Sequence, residues 1–297
     1  MAQRVMVATD GGPASLAAID WVIHFAEDKT IDVDVVTVEE TDQMPFGSDP
    51  REYRAAYLAH LAEGESRLSN HHGVSSVTRT LLSGVASREI ADASQIADML
   101  VVGSNPVAAP AADLRSSLAL RLAPRSDCPL VVVPAAWQSR EGAVVVGAED
   151  DGSSDTAIDF AAHEAATTGR RLLVVHAWLP APPFTSIGRH RESEFPTLKA
   201  LHQASLDASV ARARLIASRA TVTGILQFCP ASAALLTAAT GASLLVVGSH
   251  RHGIVADTFL GGSSRKLLSS AACPIAVVSS DRIVLDAPRG LVWEGTA

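Results

Sequence analysis

A chain of 297 residues with 47% apolar and 19% charged residues is long enough for two ordinary cores and too apolar to stay disordered. The formal net charge of −8, with no run of lysine and arginine, argues against a nucleic-acid binder, which needs a basic surface to displace counterions. Three cysteines, Cys128, Cys229 and Cys273, have no metal-ligand spacing, and a reduced cytoplasmic protein fits them best.

Taken in chain order, apolar runs alternate with helical patterns. Strands are expected at 5–9, 33–38, 77–82, 99–102 and 130–133, with helices at 14–26, 50–69, 87–94 and 117–123 between them. The same order then returns: strands at 144–148, 172–178, 222–228, 244–247 and 275–278, with helices at 154–166, 195–220, 232–239 and 264–270. "RVMVATDGGPASLAAIDWVIHFA" from Arg4 matches "AVVVGAEDDGSSDTAIDFAAHEA" from Ala143 at an offset of 139, and "SDCPLVVVP" from Ser126 matches "AACPIAVVS" from Ala271 at 145. A period this long is a domain duplication, since solenoid units run to about 20–50 residues. The organisation read from it is a first domain over 1–134, a linker over 135–142, a second domain over 143–280 and a polar tail over 281–297.

Strands that are nearly continuous Val, Ile and Leu are buried on both faces, as parallel strands are. The expected architecture is therefore α/β: two tandem doubly wound domains, each with a five-stranded, mostly parallel sheet. Such sheets take ligands at the carboxyl ends of their strands, beside the switch in strand order. No secretory signal is legible at the N-terminus. Residues 220–250 carry no formal charge, but Gly224, Pro230 and Gly241 interrupt a stretch that would need about 20 apolar residues to span a membrane.

Two motifs bear on chemistry. In "VATDGGPAS" an acid, Asp10, stands at a strand's carboxyl end before two glycines, where it either reaches a ribose hydroxyl or holds a turn through its own side chain. Its counterpart is Glu149 in register, or Asp151 after a two-residue shift. In "LLVVGSHRHGIVADTFLGG", Leu244 to Gly262, a strand leads to a glycine loop that either presents N–H groups to phosphate or is a plain strand-to-helix turn. Around His250 and His252 no acid or cysteine completes a metal-ligand set, and Ser104 and Ser249 lack a triad. His176 reads as a packed core histidine, Trp21 and Phe160 as matched core positions, and the arginines of "VARARLIASRA" as a solvated helix face.

In combination, "TDGGPAS" and "CPLVVVP" in the first half with "VVGSH" and "FLGGSSRKLLSSAACPIAVV" in the second resemble a tandem universal stress protein, over residues 4–279. The resemblance implies a stress-response regulator that binds ATP or another adenine nucleotide, with or without Mg²⁺, and hydrolyses it slowly if at all, with no catalytic residue. Carried over by position, it implies Asp10, Val38, Gly103 and Ser117 in the first site, and Glu149, Ala177, Gly248, His250, Gly261, Gly262 and Ser263 in the second. Departures fall in both loops. Pro106 and Ser116 replace two glycines in the first. In the second, Arg251 stands for the middle glycine, either as a phosphate contact or as a plug, and Gly262 stands for a hydroxyl residue. The resemblance also implies pairing of the last strands into an internal pseudo-dimer, a homodimer as a further state, and a signalling partner of unspecified kind. The rival readings are a nucleotide-free interaction scaffold with decayed phosphate loops, and a nucleotide-transforming enzyme. The enzyme would need a His or Lys cluster that "DGGPAS" and "DDGSSD" lack.

Overall fold

The computed structural model of the chain describes residues 2–44, 46–105, 117–150, 152–179, 191–249 and 262–279. The first half runs β1 (Gln3–Ala8), α1 (Pro13–Phe25), β2 (Ile31–Glu39), α2 (Pro50–Leu68), β3 (Val74–Ser83), α3 (Ala86–Ala93), β4 (Met99–Ser104), α4 (Leu118–Leu122) and β5 (Leu130–Pro134). The second runs β6 (Val144–Ala148), α5 (Asp155–Thr168), β7 (Leu172–Ala177), α6 (Arg191–Ile216), β8 (Val222–Gln227), α7 (Ala231–Ala238), β9 (Leu244–Ser249), α8 (Gly262–Ser270) and β10 (Ile275–Ser279). Every element expected from the sequence is present.

Local chemistry sets the helix ends. Pro13 and Pro50 open α1 and α2 where a missing N–H costs nothing, and the Asp49 carboxylate accepts from the Arg51 N–H at 2.8 Å. Gly169 closes α5 at φ +65°, a conformation that other residues adopt at a cost. α6 departs from expectation: it starts at Arg191, four residues early, and holds Pro196 inside it. The Phe195 ring packs against Trp178 and Phe228 at centroid distances of 5.2 and 5.1 Å, which holds that first stretch against the sheet.

All ten strands form one sheet in the order β3-β2-β1-β4-β5-β10-β9-β6-β7-β8. Neighbours within each half are parallel, and the halves join where β5 and β10 run antiparallel, with Val131 opposite Ala276. The second half thus repeats the first across a pseudo-two-fold axis. One face is covered by α1, α2, α5 and α6 and the other by α3, α4, α7 and α8, and each apolar layer continues across both halves. Trp21 and Phe160 are buried in the first of these layers, as expected; covering a side chain of that size contributes about 1.5–3 kcal/mol. Strand order reverses between β1 and β4, and again between β6 and β9, which puts a ligand crevice at the carboxyl end of each half. Among the described residues no helix is long and apolar enough to cross a membrane.

A second link between the halves is ionic. Lys29 Nζ lies 2.7 Å from both carboxylate oxygens of Glu164 and 3.5 Å above the Phe25 ring, with both charged side chains almost wholly buried. Burial holds the Lys29 ammonium below its usual range, and the Glu164 carboxylate opposes that shift.

Candidate functional site

In the first crevice the Asp10 carboxylate turns back on its own chain. Its Oδ1 accepts from the Gly12 N–H at 2.9 Å and from the Ser15 hydroxyl at 2.6 Å, while the Asp10 N–H donates to Ser15 Oγ at 3.3 Å. The turn-holding role is therefore realised. Gly11 takes φ +72°, and a side chain there would overlap the His60 ring, so two independent constraints keep it glycine. Val38 is buried near the end of β2, and Gly103 is the penultimate residue of β4, against the start of α1. A Cβ on Gly103 would overlap the Ala14 carbonyl, so helix packing alone requires this glycine. Ser117 precedes α4 without a side-chain capping bond.

The second crevice repeats the turn. The Glu149 N–H donates to Ser154 Oγ at 2.9 Å, the bond made by Asp10 and Ser15 one repeat earlier, which supports the in-register alignment of Glu149. Ala177 ends β7 opposite Gln227 of β8, and Gly248 lies near the end of β9 with Ser153 O 3.5 Å from a notional Cβ. Gly262 opens α8, with Ser263 next in the same helix. His250, Arg251 and Gly261 lie outside the described residues, as do Pro106, Ser116 and Asp151.

The halves differ below these turns, on the face covered by α3 and α7. In the second half an apolar cavity of about 190 Å³ runs between β7, β8 and α7, lined by Leu173, Val175, Ile225, Cys229, Ala234 and Ala238. Its upper lining reaches Gln227, the register partner of Ala177. At the equivalent place in the first half stands Asp34, whose Oδ1 accepts from the Thr78 and Thr80 hydroxyls at 3.0 and 2.9 Å. An apolar cavity of about 150 Å³ holds one benzene-sized ring; the second half offers that space behind Leu173, and the first half carries the hydrogen-bonded Asp34 carboxylate at the position of Leu173.

Two groups of residues escape a reading by sequence. Arg212, expected on a solvated face, instead clamps α6 to α5: its Nε and Nη2 donate to the two Asp159 oxygens at 2.6 Å each, and its Nη1 donates to Asp155 at 2.9 Å. His176 is buried, as expected, but its ring does more than pack. Its Nε2 lies 3.1 Å from Asp150 Oδ1 and 3.0 Å from His202 Nδ1, and His202 Nδ1 lies 2.8 Å from Asp150 Oδ2. Cys128 and Cys273, each before a proline at the start of a strand, are buried, and desolvation raises both thiols, Cys273 to about 11. Cys229 is half-buried at the cavity.

Comparison with known proteins agrees with the duplication. Residues 1–134 and 142–279 each match the Universal stress protein family. A universal stress protein of Mycolicibacterium smegmatis is 28% identical over 288 residues, covering 92% of this chain and 96% of that protein. One from Mycobacterium tuberculosis is 28% identical over 300 residues with the same coverage. The crystal structure of a universal stress protein from Archaeoglobus fulgidus superposes with a TM-score of 0.68 at 17% identity, covering 93% of this chain and 96% of that one, which shows a shared fold. With both halves matched and the sheet order repeated, the chain belongs to the Universal stress protein family as a tandem, two-domain member.

Proposed function

We propose that the protein is a cytoplasmic stress-response regulator that binds an adenine nucleotide, ATP or AMP, in its second half. The observation that carries this reading is the apolar cavity of about 190 Å³ beneath α7. It has the size and apolar lining for one flat ring, and its upper end meets the strand terminus at Ala177, where the family resemblance puts the base. A base held there leaves the sugar and phosphates toward Glu149, Gly248 and the loop carrying His250, Arg251 and Gly261, with Gly262 and Ser263 at the start of α8. Phosphates bound there require counter-charge, which Arg251 and a nucleotide-borne Mg²⁺ supply in this reading. No side chain is assigned as a general base, so occupancy rather than turnover carries the signal.

The first half, by the same reasoning, is the scaffold half. Asp34 with its two threonines puts a carboxylate at the wall position that Leu173 holds in the second half, and Pro106 removes a donor from the loop sequence.

The cavity carries its own reporter. Cys128 and Cys273 are buried with raised thiols, so a thiol reagent at neutral pH reads Cys229 in the native chain. Millimolar ATP or AMP is expected to slow Cys229 labelling at least 10-fold, and Ile225→Asp, at the cavity wall, to abolish that protection. Labelling that ignores both nucleotides, together with no heat of binding at millimolar concentration, sinks the reading.

A further inference from the structure

Asp150, His176 and His202 come from the turn after β6, from β7 and from α6, and their side chains meet on the face of β7 opposite the apolar cavity. The neighbouring contact of His176 sets the role of one ring nitrogen. Its Nδ1 lies 2.8 Å from the Ala148 carbonyl, which only accepts, so Nδ1 carries a proton and Nε2, a lone pair in that tautomer, points at the other two residues. That lone pair faces a carboxylate oxygen at 3.1 Å and the His202 nitrogen at 3.0 Å. One N–H on His202 Nδ1 cannot satisfy both the Asp150 oxygen at 2.8 Å and His176 Nε2. A shared positive species at the centre of the cluster would meet all three groups at once.

We propose that Asp150 Oδ, His176 Nε2 and His202 Nδ1 bind a borderline divalent transition-metal ion, Zn²⁺ being the type case. Two imidazoles and one carboxylate are a zinc-type donor set, whereas Mg²⁺ and Ca²⁺ favour oxygen alone. Ligands about 2.0–2.1 Å from a tetrahedral ion stand about 3.3 Å apart, so the two imidazole nitrogens, 3.0 Å apart, need to spread by only a few tenths of an ångström, and Asp150 turns one carboxylate oxygen toward each of them. The surroundings orient the donors as metal sites do. The His176 N–H is tied to a backbone carbonyl, and the His202 ring stacks on Trp178 with centroids 4.5 Å apart at 24°. His176 is almost fully buried, while the Asp150 side chain is 49% exposed, so an ion has a route in and a coordination position facing solvent. At the repeat offsets the first half carries Gly11, Thr37 and Tyr57 at these places, so the site belongs to the second half alone.

The full-length chain, stripped with EDTA, is titrated with Co²⁺ while its visible absorption is followed, and Zn²⁺ is then added as competitor. One equivalent of Co²⁺ is expected to give the strong bands of a low-coordinate ion, lost on addition of Zn²⁺. Zn²⁺ alone should raise the melting temperature. Asp150→Asn and His202→Gln, both at partly exposed side chains, should each weaken Co²⁺ binding at least 10-fold and remove the Zn²⁺-dependent shift, with far-UV circular dichroism unchanged. His252→Gln should bind as the parent does. No uptake of Co²⁺ or Zn²⁺ at millimolar concentration overturns the proposal, and so does unchanged affinity in the Asp150 and His202 variants or lost affinity in the His252 variant. Because Cys229 protection reports the opposite face of β7, this site and the nucleotide reading fail separately.

Discussion

In the first half Asp20 on α1 meets Arg67 on α2 through one contact of 3.1 Å on an open surface. The same positions in the second half, Asp159 and Arg212, are joined by two bonds of 2.6 Å, with the carboxylate only 11% exposed and Asp155 added as a third arm. The duplication therefore preserved the pair and changed its surroundings. The same division recurs at the crevices: the first half closes its turn on Asp10 and carries Asp34 where the second has Leu173, while the second leaves a cavity and gathers Asp150, His176 and His202. On the readings proposed above, one fold written twice has divided into a structural half and a ligand-binding half.

The comparison presumes that both halves stay in one sheet, and the buried ion pair between them is the first place to break it. Glu164→Ala leaves the Lys29 ammonium buried without its partner and is expected to cost about 3–5 kcal/mol in urea unfolding, whereas Lys29→Met with Glu164→Leu should be close to neutral. A loss below about 1 kcal/mol for the single variant would mean that the pair is not the lock between the halves. The strand-end glycines come next. Gly103→Ala forces a methyl into the Ala14 carbonyl and should cost about 3 kcal/mol; Gly248→Ala makes an ordinary contact at 3.5 Å and should stay within about 0.5 kcal/mol. Equal costs would mean that the two glycines serve one purpose. The smallest contrast is the helix pair itself. Arg212→Ala should lose about 1.5–3 kcal/mol, as expected for hydrogen bonds to a charged group in a sheltered site. Arg67→Ala should lose at most about 1 kcal/mol, and raised salt should shrink only that smaller effect.

The elements were legible because each carries its own signal: unbroken Val, Ile and Leu for two-sided strands, and Pro, Asp or Gly at helix ends. The pairing of the halves followed from the family resemblance rather than from the repeat itself, and "CPLVVVP" and "CPIAVVS" are the strands that meet. The clustered histidines were not. Asp150, His176 and His202 stand 26 residues apart in the chain, and each alone reads as a turn acid, a core residue and a helix residue. Only the parallel register of β6 with β7, which puts Ala148 opposite His176, and the packing of α6 against that face bring them together. Arg212 was misread for a related reason: a helix face looks solvated in sequence until the acids of α5 are packed against it.

The antiparallel join of β5 and β10 has a kinetic consequence. Each half can zip its own parallel strands through local crossovers, but the seam pairs Val132 with Ile275, closing a loop of roughly 140 residues. Seam formation should therefore be the late step in folding. Because both strands of that seam belong to one chain, the join is independent of protein concentration, and a cell at low expression holds the same assembled sheet as one at high expression.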